Sequence, residues 1–190
     1  MRCISCEDFS LEIICKQCQK ELSNPKLNKR EIQKDFFVYS FYSYDDIKDL
    51  LNAKYKFYGD RVYKILAKLS FSKFTQNFDF DIKSYAIPID DHTRHDFSQT
   101  ALLVKSLESK TITPIYNCLH ASNIVKYAGK DLKFREQNPR DFIYKGKKNI
   151  KVILVDDLIT TGLTMIEAKD ILSKYNCEVL FGLTLCDAKF

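Results

Sequence analysis

The sequence predicts an α/β fold, a parallel sheet with helices on both faces, preceded by a small four-cysteine module. Three observations carry this. KVILV (151–155) and CEVLFGLTLC (177–186) are solidly apolar runs, the pattern of strands buried on both faces. Strand-like and helix-like segments alternate through the second half of the chain, as βαβ units do. The first 18 residues carry CxxC-x8-CxxC, Cys3, Cys6, Cys15 and Cys18, with few large apolar side chains of their own.

The elements follow in chain order. With 190 residues, the chain accommodates one ordinary domain and a small appendage. We divide it into a zinc-binding module at 1–22, a linker at 23–35 and the α/β domain at 36–190. SNPKLNKREIQKD (23–35) reads as a polar joint or short helix. FFVYSFYSY (36–44) is aromatic and β-branched and predicts a strand. In the next segment Ile47, Leu50, Leu51 and Lys54 recur at helical spacing, with Gly59 as a stop. Asp60 is placed to cap a further helix, whose Val62, Ile65, Leu66 and Leu69 form one apolar face. Beyond it come a strand at 84–89, a helix at 97–107 and a strand at 111–119, placed at an edge by Pro114. The strand KVILV, a helix from about Gly162 to Tyr175 and a closing strand complete the series.

Composition narrows the function. Hydrophobic residues make up 45% and charged residues 29%, values of a soluble globular protein. No apolar run approaches the ~20 residues of a membrane span, and the N-terminus has no signal-peptide core, so no membrane span and a cytoplasmic location are expected. The net charge is +5, but nine lysines and arginines against three acids between Lys126 and Lys151 give that segment +6. Such a local excess suits a polyanion, either nucleic acid or a small phosphorylated ligand, unless the segment is simply a solvated loop. Its rings, Tyr127, Phe134, Phe142 and Tyr144, add the stacking surfaces that single-strand binding uses. Lys126, Lys130, Lys133, Arg135, Arg140, Lys145, Lys147 and Lys148 are the candidate DNA contacts.

Seven cysteines in a chain of this kind do not suggest a disulfide framework. Two CxxC pairs within 18 residues suit tetrahedral Zn²⁺, with Cys3, Cys6, Cys15 and Cys18 as ligands and a closed, structural site. Cys118, Cys177 and Cys186 read as small core residues. His92, His95 and His120 read as surface or loop residues, and no general base stands out.

VILVDDLITTGLT (152–164) is the second chemical motif. A strand at Val152–Val155 brings Asp156 and Asp157 to the carboxyl edge of a parallel sheet, where ligands bind. Two acids there can accept hydrogen bonds from vicinal hydroxyls, as on a ribose. The following turn and helix start, Thr160, Thr161, Gly162, Leu163 and Thr164, present amides, hydroxyls and a helix dipole to a phosphate. Acids for a ribose beside a loop for its phosphate describe a ribose-5-phosphate site.

This stretch resembles, position by position, the signature of type I phosphoribosyltransferases, which bind phosphoribosyl pyrophosphate (PRPP). The resemblance implies that Thr160, Thr161, Gly162 and Thr164 hold the 5′-phosphate, that Asp156 and Asp157 face the ribose, and that Mg²⁺ accompanies the pyrophosphate. It also implies a type I phosphoribosyltransferase-like parallel sheet. With the N-terminal cysteines, Lys56-Phe57-x-Gly59, IPID…HDFSQTALL and Arg135-x-x-Asn138, the whole chain is similar to the ComF family of competence proteins (ComFC type). In the superfamily the first loop cups pyrophosphate, which implies Ile89, Asp90 and Asp91 here. His95-Asp96 stands where the family has Arg-Gly, Ser98 where it has Asn, and the loop before Phe97 is shorter. The function implied is DNA uptake in natural transformation: a PRPP- and Mg²⁺-binding protein that handles single-stranded DNA, with other uptake proteins at the inner face of the membrane as partners. The alternative is a phosphoribosyltransferase of nucleotide metabolism with an unknown acceptor. For a transferase, 120–149 is a candidate closing loop.

Overall fold

The structure is a computed structural model that describes residues 1–77, 81–90, 97–123, 134 and 137–190. Its helices are α1 (Lys16–Leu22), α2 (Tyr44–Asn52), α3 (Gly59–Leu69), α4 (Phe71–Asn77), α5 (Gln99–Lys105) and α6 (Leu163–Ser173), with a 3₁₀ turn at Ala53–Tyr55. Its strands are β1 (Asn28–Gln33), β2 (Phe36–Ser43), β3 (Ser84–Pro88), β4 (Ile112–Pro114), β5 (Leu119–Ala121), β6 (Phe142–Tyr144), β7 (Lys151–Ile159) and β8 (Glu178–Asp187). Six strands form one sheet in the order β1-β2-β8-β7-β3-β4, and β5 and β6 pair separately. Within the large sheet β1 runs antiparallel to β2, and the other neighbours are parallel. The fold is therefore α/β with a mostly parallel sheet, as the apolar strands predict.

Several boundaries differ from the sequence reading. The segment read as a linker contains β1. Burial alternates along NKREIQ as in a half-covered strand, but Ile32 is its one apolar residue, so periodicity in hydrophobicity is invisible there. A two-residue turn with Asp35 at φ 60° joins it to β2. The helix expected to run towards Gly59 ends at Asn52; Gly59 opens α3 rather than stopping α2, and Asp60 sits in its first turn, paired with Lys64. The strand expected at 111–119 divides into β4 and β5, with Asn117 at φ 53° between them; β4 does lie at the sheet edge. Part of the basic stretch pairs as the β5–β6 hairpin.

The centre of the sheet is buried from both sides. Ile153 and Val155 of β7 join Leu183, Leu185 and Phe41 in a core covered by α1, α2, α3 and α5. Val152 and Leu154 join Ile87, Met165 and Leu172 in a second core under α6 and the β5–β6 hairpin. Alternate residues of one strand thus feed opposite layers, which is why the strand reads as a continuous apolar run. The cysteine module is not a separate body. Ile14 is fully buried in the first core beside Cys3 and Cys18. The Tyr42 hydroxyl donates to the Leu22 carbonyl at 2.7 Å, and Lys73 Nζ donates to the Ser23 carbonyl at 2.6 Å. Cys118, Cys177 and Cys186 are buried, as expected. Among the described residues, no helix is long and apolar enough to cross a membrane.

Candidate functional site

β7 extends past the two acids, because β8 pairs with it as far as Ile159–Asp187. Its other neighbour, β3, leaves the ladder at Pro88–Val155. The strand therefore has one side unpaired by β3 from Asp156 onward, and this opens a crevice at the carboxyl end of the sheet. Adjacent residues of a strand point to opposite faces, so the two acids do not share a direction. Asp157 continues the Ile153–Val155 face and is buried. Its Oδ2 accepts from Lys54 Nζ at 2.9 Å and from the Tyr63 hydroxyl at 3.2 Å. Asp156 is half-buried on the other face, and its Oδ1 accepts from the Asp157 amide at 2.8 Å.

The electrostatics of the two acids diverge. Burial works against the charge of Asp157, but the ammonium of Lys54 outweighs it and holds the carboxyl below its ordinary value. Burial likewise opposes the charge of Lys54, and Asp157 outweighs it. For Asp156 burial and the neighbouring Asp157 charge outweigh the pull of Lys54 and Arg140 and push it well above the usual carboxylate range. One acid is thus a structural anion, the other a carboxyl that gains from an incoming donor or cation.

The turn that follows is built for close approach. Gly162 has φ +90°, and a Cβ there would meet the Ile32 side chain at 3.1 Å, so β1 packs directly behind the loop. Gly162 is also the N-cap of α6, whose first turn has no side-chain cap from that residue. Leu163 N donates to Thr161 Oγ1 at 3.4 Å. Thr160, Thr161 and Thr164 are half-buried around this helix start. Amides at a helix N-terminus, three hydroxyls and a glycine converge there, an arrangement that suits a phosphate.

Arg30, which the sequence reading left inside a linker, secures the loop. Its Nη2 donates to the Thr160 carbonyl at 2.9 Å and its Nη1 pairs with buried Asp187 at 3.0 Å. The planar guanidinium spans both acceptors, which a lysine ammonium cannot do in the same geometry. Arg30→Lys is expected to cost about 1–2 kcal/mol and to speed amide exchange at 161–164, read by hydrogen–deuterium exchange. Unchanged protection there would remove Arg30 from this role.

Across the crevice, Ile89 is buried and its amide donates to the Val155 carbonyl at 2.8 Å. Asp90, at φ 50°, accepts from the Ala121 amide at 3.3 Å and from Arg140 Nη1 at 3.5 Å. The Arg140 amide donates to Glu167 of α6 at 2.8 Å. Arg140 therefore ties the base of the β5–β6 hairpin to the first loop and to α6, at the same crevice. Asp91, Lys126, Lys130, Lys133 and Arg135 lie outside the described residues, as do His92 and His95. Lys145, Lys147 and Lys148 are exposed and belong to the opposite end of the sheet. Lys147 Nζ lies 4.8 Å from the Tyr85 ring centroid and Lys148 Nζ lies 5.6 Å from that of Tyr175. Residue 151 and Asp156 are separated by about 17 Å along the strand, so these lysines and the acids do not form one site. His120 is half-buried on β5.

The four N-terminal sulfurs form a second centre. All lie within 4.8 Å of one another, with Cys3–Cys18 at 3.9 Å and Cys6–Cys15 at 3.8 Å. Tetrahedral sulfurs at 2.3 Å from Zn²⁺ stand about 3.8 Å apart, so the cluster can hold such an ion. Cys3 Sγ accepts from the amides of Cys15 at 3.2 Å and Ser5 at 3.4 Å. Burial opposes its ionisation, but these amides outweigh that and hold the thiol at about 6, favouring the thiolate that metals need.

Residues 117–189 match a family model described as the phosphoribosyl transferase domain. The match takes in β5 to β8 and thus the hairpin, the acid pair, the turn and α6. No curated protein matches the chain. Solved structures similar to it include a hypoxanthine phosphoribosyltransferase from Staphylococcus aureus, at 14% identity and TM-score 0.43, covering 67% of this chain and 64% of that one. The UMP synthase of Leishmania donovani shows 18% identity and TM-score 0.41, covering 75% of this chain and 24% of that one. An adenine phosphoribosyl transferase from Trypanosoma brucei, in complex with AMP, pyrophosphate and ribose-5-phosphate, shows 14% identity and TM-score 0.44, covering 86% of this chain and 87% of that one. The chain thus spans less than two thirds of the first two of these proteins.

Proposed function

We propose that this protein binds PRPP with Mg²⁺ at the crevice between β3 and β7 and uses that site in handling single-stranded DNA during DNA uptake. The observation that carries the ligand is the run from Asp156 to Thr164. A half-buried acid precedes a glycine-bearing helix start by a few residues, with Arg30 bracing the loop from behind. The 5′-phosphate takes the amides and hydroxyls of Thr160, Thr161, Gly162 and Thr164. The ribose hydroxyls donate to Asp156, while Asp157 acts chiefly by holding Lys54 at the crevice. Ile89 and Asp90 cup the pyrophosphate, whose negative charge Mg²⁺ would neutralise when bound. Zn²⁺ at Cys3, Cys6, Cys15 and Cys18 is structural. Exposed Lys145, Lys147 and Lys148 supply phosphate contacts for DNA.

Asp156→Asn tests the ribose assignment. The folded-state pKa of Asp156 is raised, so its ionisation costs stability as pH rises from about 3.8 through the folded value. The asparagine cannot ionise, so the variant's melting temperature is expected to exceed that of the natural protein by a margin that grows with pH, while PRPP binds at least about tenfold more weakly. Calorimetric affinity unchanged in a well-folded variant would sink the assignment.

The DNA role is tested by fluorescence anisotropy of a labelled oligonucleotide, compared with duplex of the same length and repeated with PRPP and Mg²⁺. Preferential single-strand binding that PRPP alters is the expected result. The second reading, a phosphoribosyltransferase of nucleotide metabolism with an unknown acceptor, is equally compatible with the matched domain. That reading predicts turnover of PRPP with one base or amine and no oligonucleotide binding.

A further inference from the structure

The turn that carries Lys54 holds two aromatic rings out in solvent. Phe57 is 88% exposed and Tyr55 is 50% exposed. Rings of this size ordinarily gain about 1.5–3 kcal/mol by burial, so an ordered turn that displays two of them needs a reason. The turn is held at both ends. On one side Lys54 Nζ is fixed to Asp157 at 2.9 Å and lies 5.5 Å from the Tyr55 ring centroid. On the other, half-buried Tyr58 packs on the first core and meets Phe57 edge-on at 5.2 Å. Lys56 N donates to the Ala53 carbonyl at 2.9 Å and Gly59 N to the Lys56 carbonyl at 3.0 Å. Gly59 is required, since a Cβ there would lie 2.3 Å from the Ala53 oxygen and 2.8 Å from the Phe97 ring.

We infer that Tyr55 and Phe57 are a stacking platform for unpaired bases of single-stranded DNA, on the turn that Lys54 ties to Asp157. The inference rests on the DNA-handling role proposed above and gives it a location that the basic-segment reading did not. Two features favour this turn over the lysine cluster near β6 as the place where bases stack, whatever phosphates those lysines contact. There, Tyr85 and Tyr175 are half-buried beneath Lys147 and Lys148, whereas the platform rings are open to a ligand. Lys56 and Arg61, both exposed, flank the rings with cations, the interleaving that lets bases stack while phosphates are neutralised. Asp45, Asp46 and Asp49 are exposed on neighbouring α2 and outnumber its exposed Lys48, so the local net charge is small. Stacking rather than charge carries the binding, and the salt dependence at this site is shallow, about one or two phosphate contacts. Because Lys54 links the platform to Asp157, the strand and PRPP are bound by one connected structure.

The test uses the full chain and labelled oligothymidylate of about 15 nucleotides, within the span of known single-strand sites. Phe57→Ala and Tyr55→Ala are each expected to weaken binding roughly tenfold, and Phe57→Trp to retain it, with melting temperature checking the fold. An oligonucleotide of abasic residues, with the same phosphates and no bases, is expected to bind the natural protein weakly and to be indifferent to Phe57→Ala. Equal binding by natural protein and both alanine variants, with no loss on removing the bases, overturns the platform while leaving the DNA role intact. No binding of oligothymidylate by the natural protein overturns the DNA role itself.

Discussion

Stripping metal from the four-cysteine cluster, or replacing Cys15 by serine, is expected to lower the melting temperature of the whole chain. An isolated module of this length would simply unfold, since it has no core of its own. Here Ile14 is fully buried and Cys3 and Cys18 lie within the same core as Ile153, Val155 and Leu183. Loss of the metal uncovers that core and releases the contacts of α1 with α3. Structural zinc contributes about 10–16 kcal/mol in isolated fingers; even a third of that, about 4 kcal/mol, lowers the melting temperature of a chain this size by roughly 10 °C. Calorimetric melting before and after chelation, with metal content measured on the same sample, reads the effect. Zinc-free protein with an unchanged transition would show that the tetrad is not a metal centre.

The second large effect is expected at Lys54. Lys54→Met leaves Asp157 buried without its cation, though Tyr63 still donates to it, and breaking such a pair costs about 3–5 kcal/mol. Lys54→Met with Asp157→Leu is expected to recover most of that stability, because an apolar pair of similar volume removes both charges. It is not expected to recover PRPP affinity, since the 3₁₀ turn loses its attachment to β7. The pH dependence follows from the two shifts. Asp157 is depressed, so its contribution is present above about 3.8 and is lost as pH falls through the folded value. Lys54 is raised, so its contribution is present below about 10.5 and is lost as pH rises through its folded value. Denaturant titrations of the natural protein and Lys54→Met should therefore differ most at neutral pH and converge in strong acid. A constant difference across that range would exclude the ion pair as its source.

Much of this molecule is legible in its sequence, and the misses have physical causes. The strands of the sheet centre are readable because burial on both faces leaves no choice but apolar side chains. The cysteine tetrad and the run from Val152 to Thr164 are readable because each gathers distinctive residues close together in the chain. β1 is not readable in the same way: its inward positions include Arg30, whose partners Asp187 and Thr160 are supplied by β8 and by the turn after β7. The Lys54–Asp157 pair joins residues 103 apart, and helical spacing shows Lys54 only as one more position on an apolar face. The exposed rings of Tyr55 and Phe57 read as ordinary helix residues until the end of α2 at Asn52 is seen. Composition shows a basic surplus between 126 and 151, but not that Arg140 is drawn into the crevice while Lys147 and Lys148 stand at the other end of the sheet.

The most direct test of the central claim is isothermal titration of PRPP with Mg²⁺ into the natural protein and into Asp156→Asn/Asp157→Asn, with folding of the variant checked by circular dichroism. Saturable one-site binding by the natural protein, lost in a folded variant, is the result this account predicts. No heat of binding to the natural protein, or equal affinity in the variant, would contradict it.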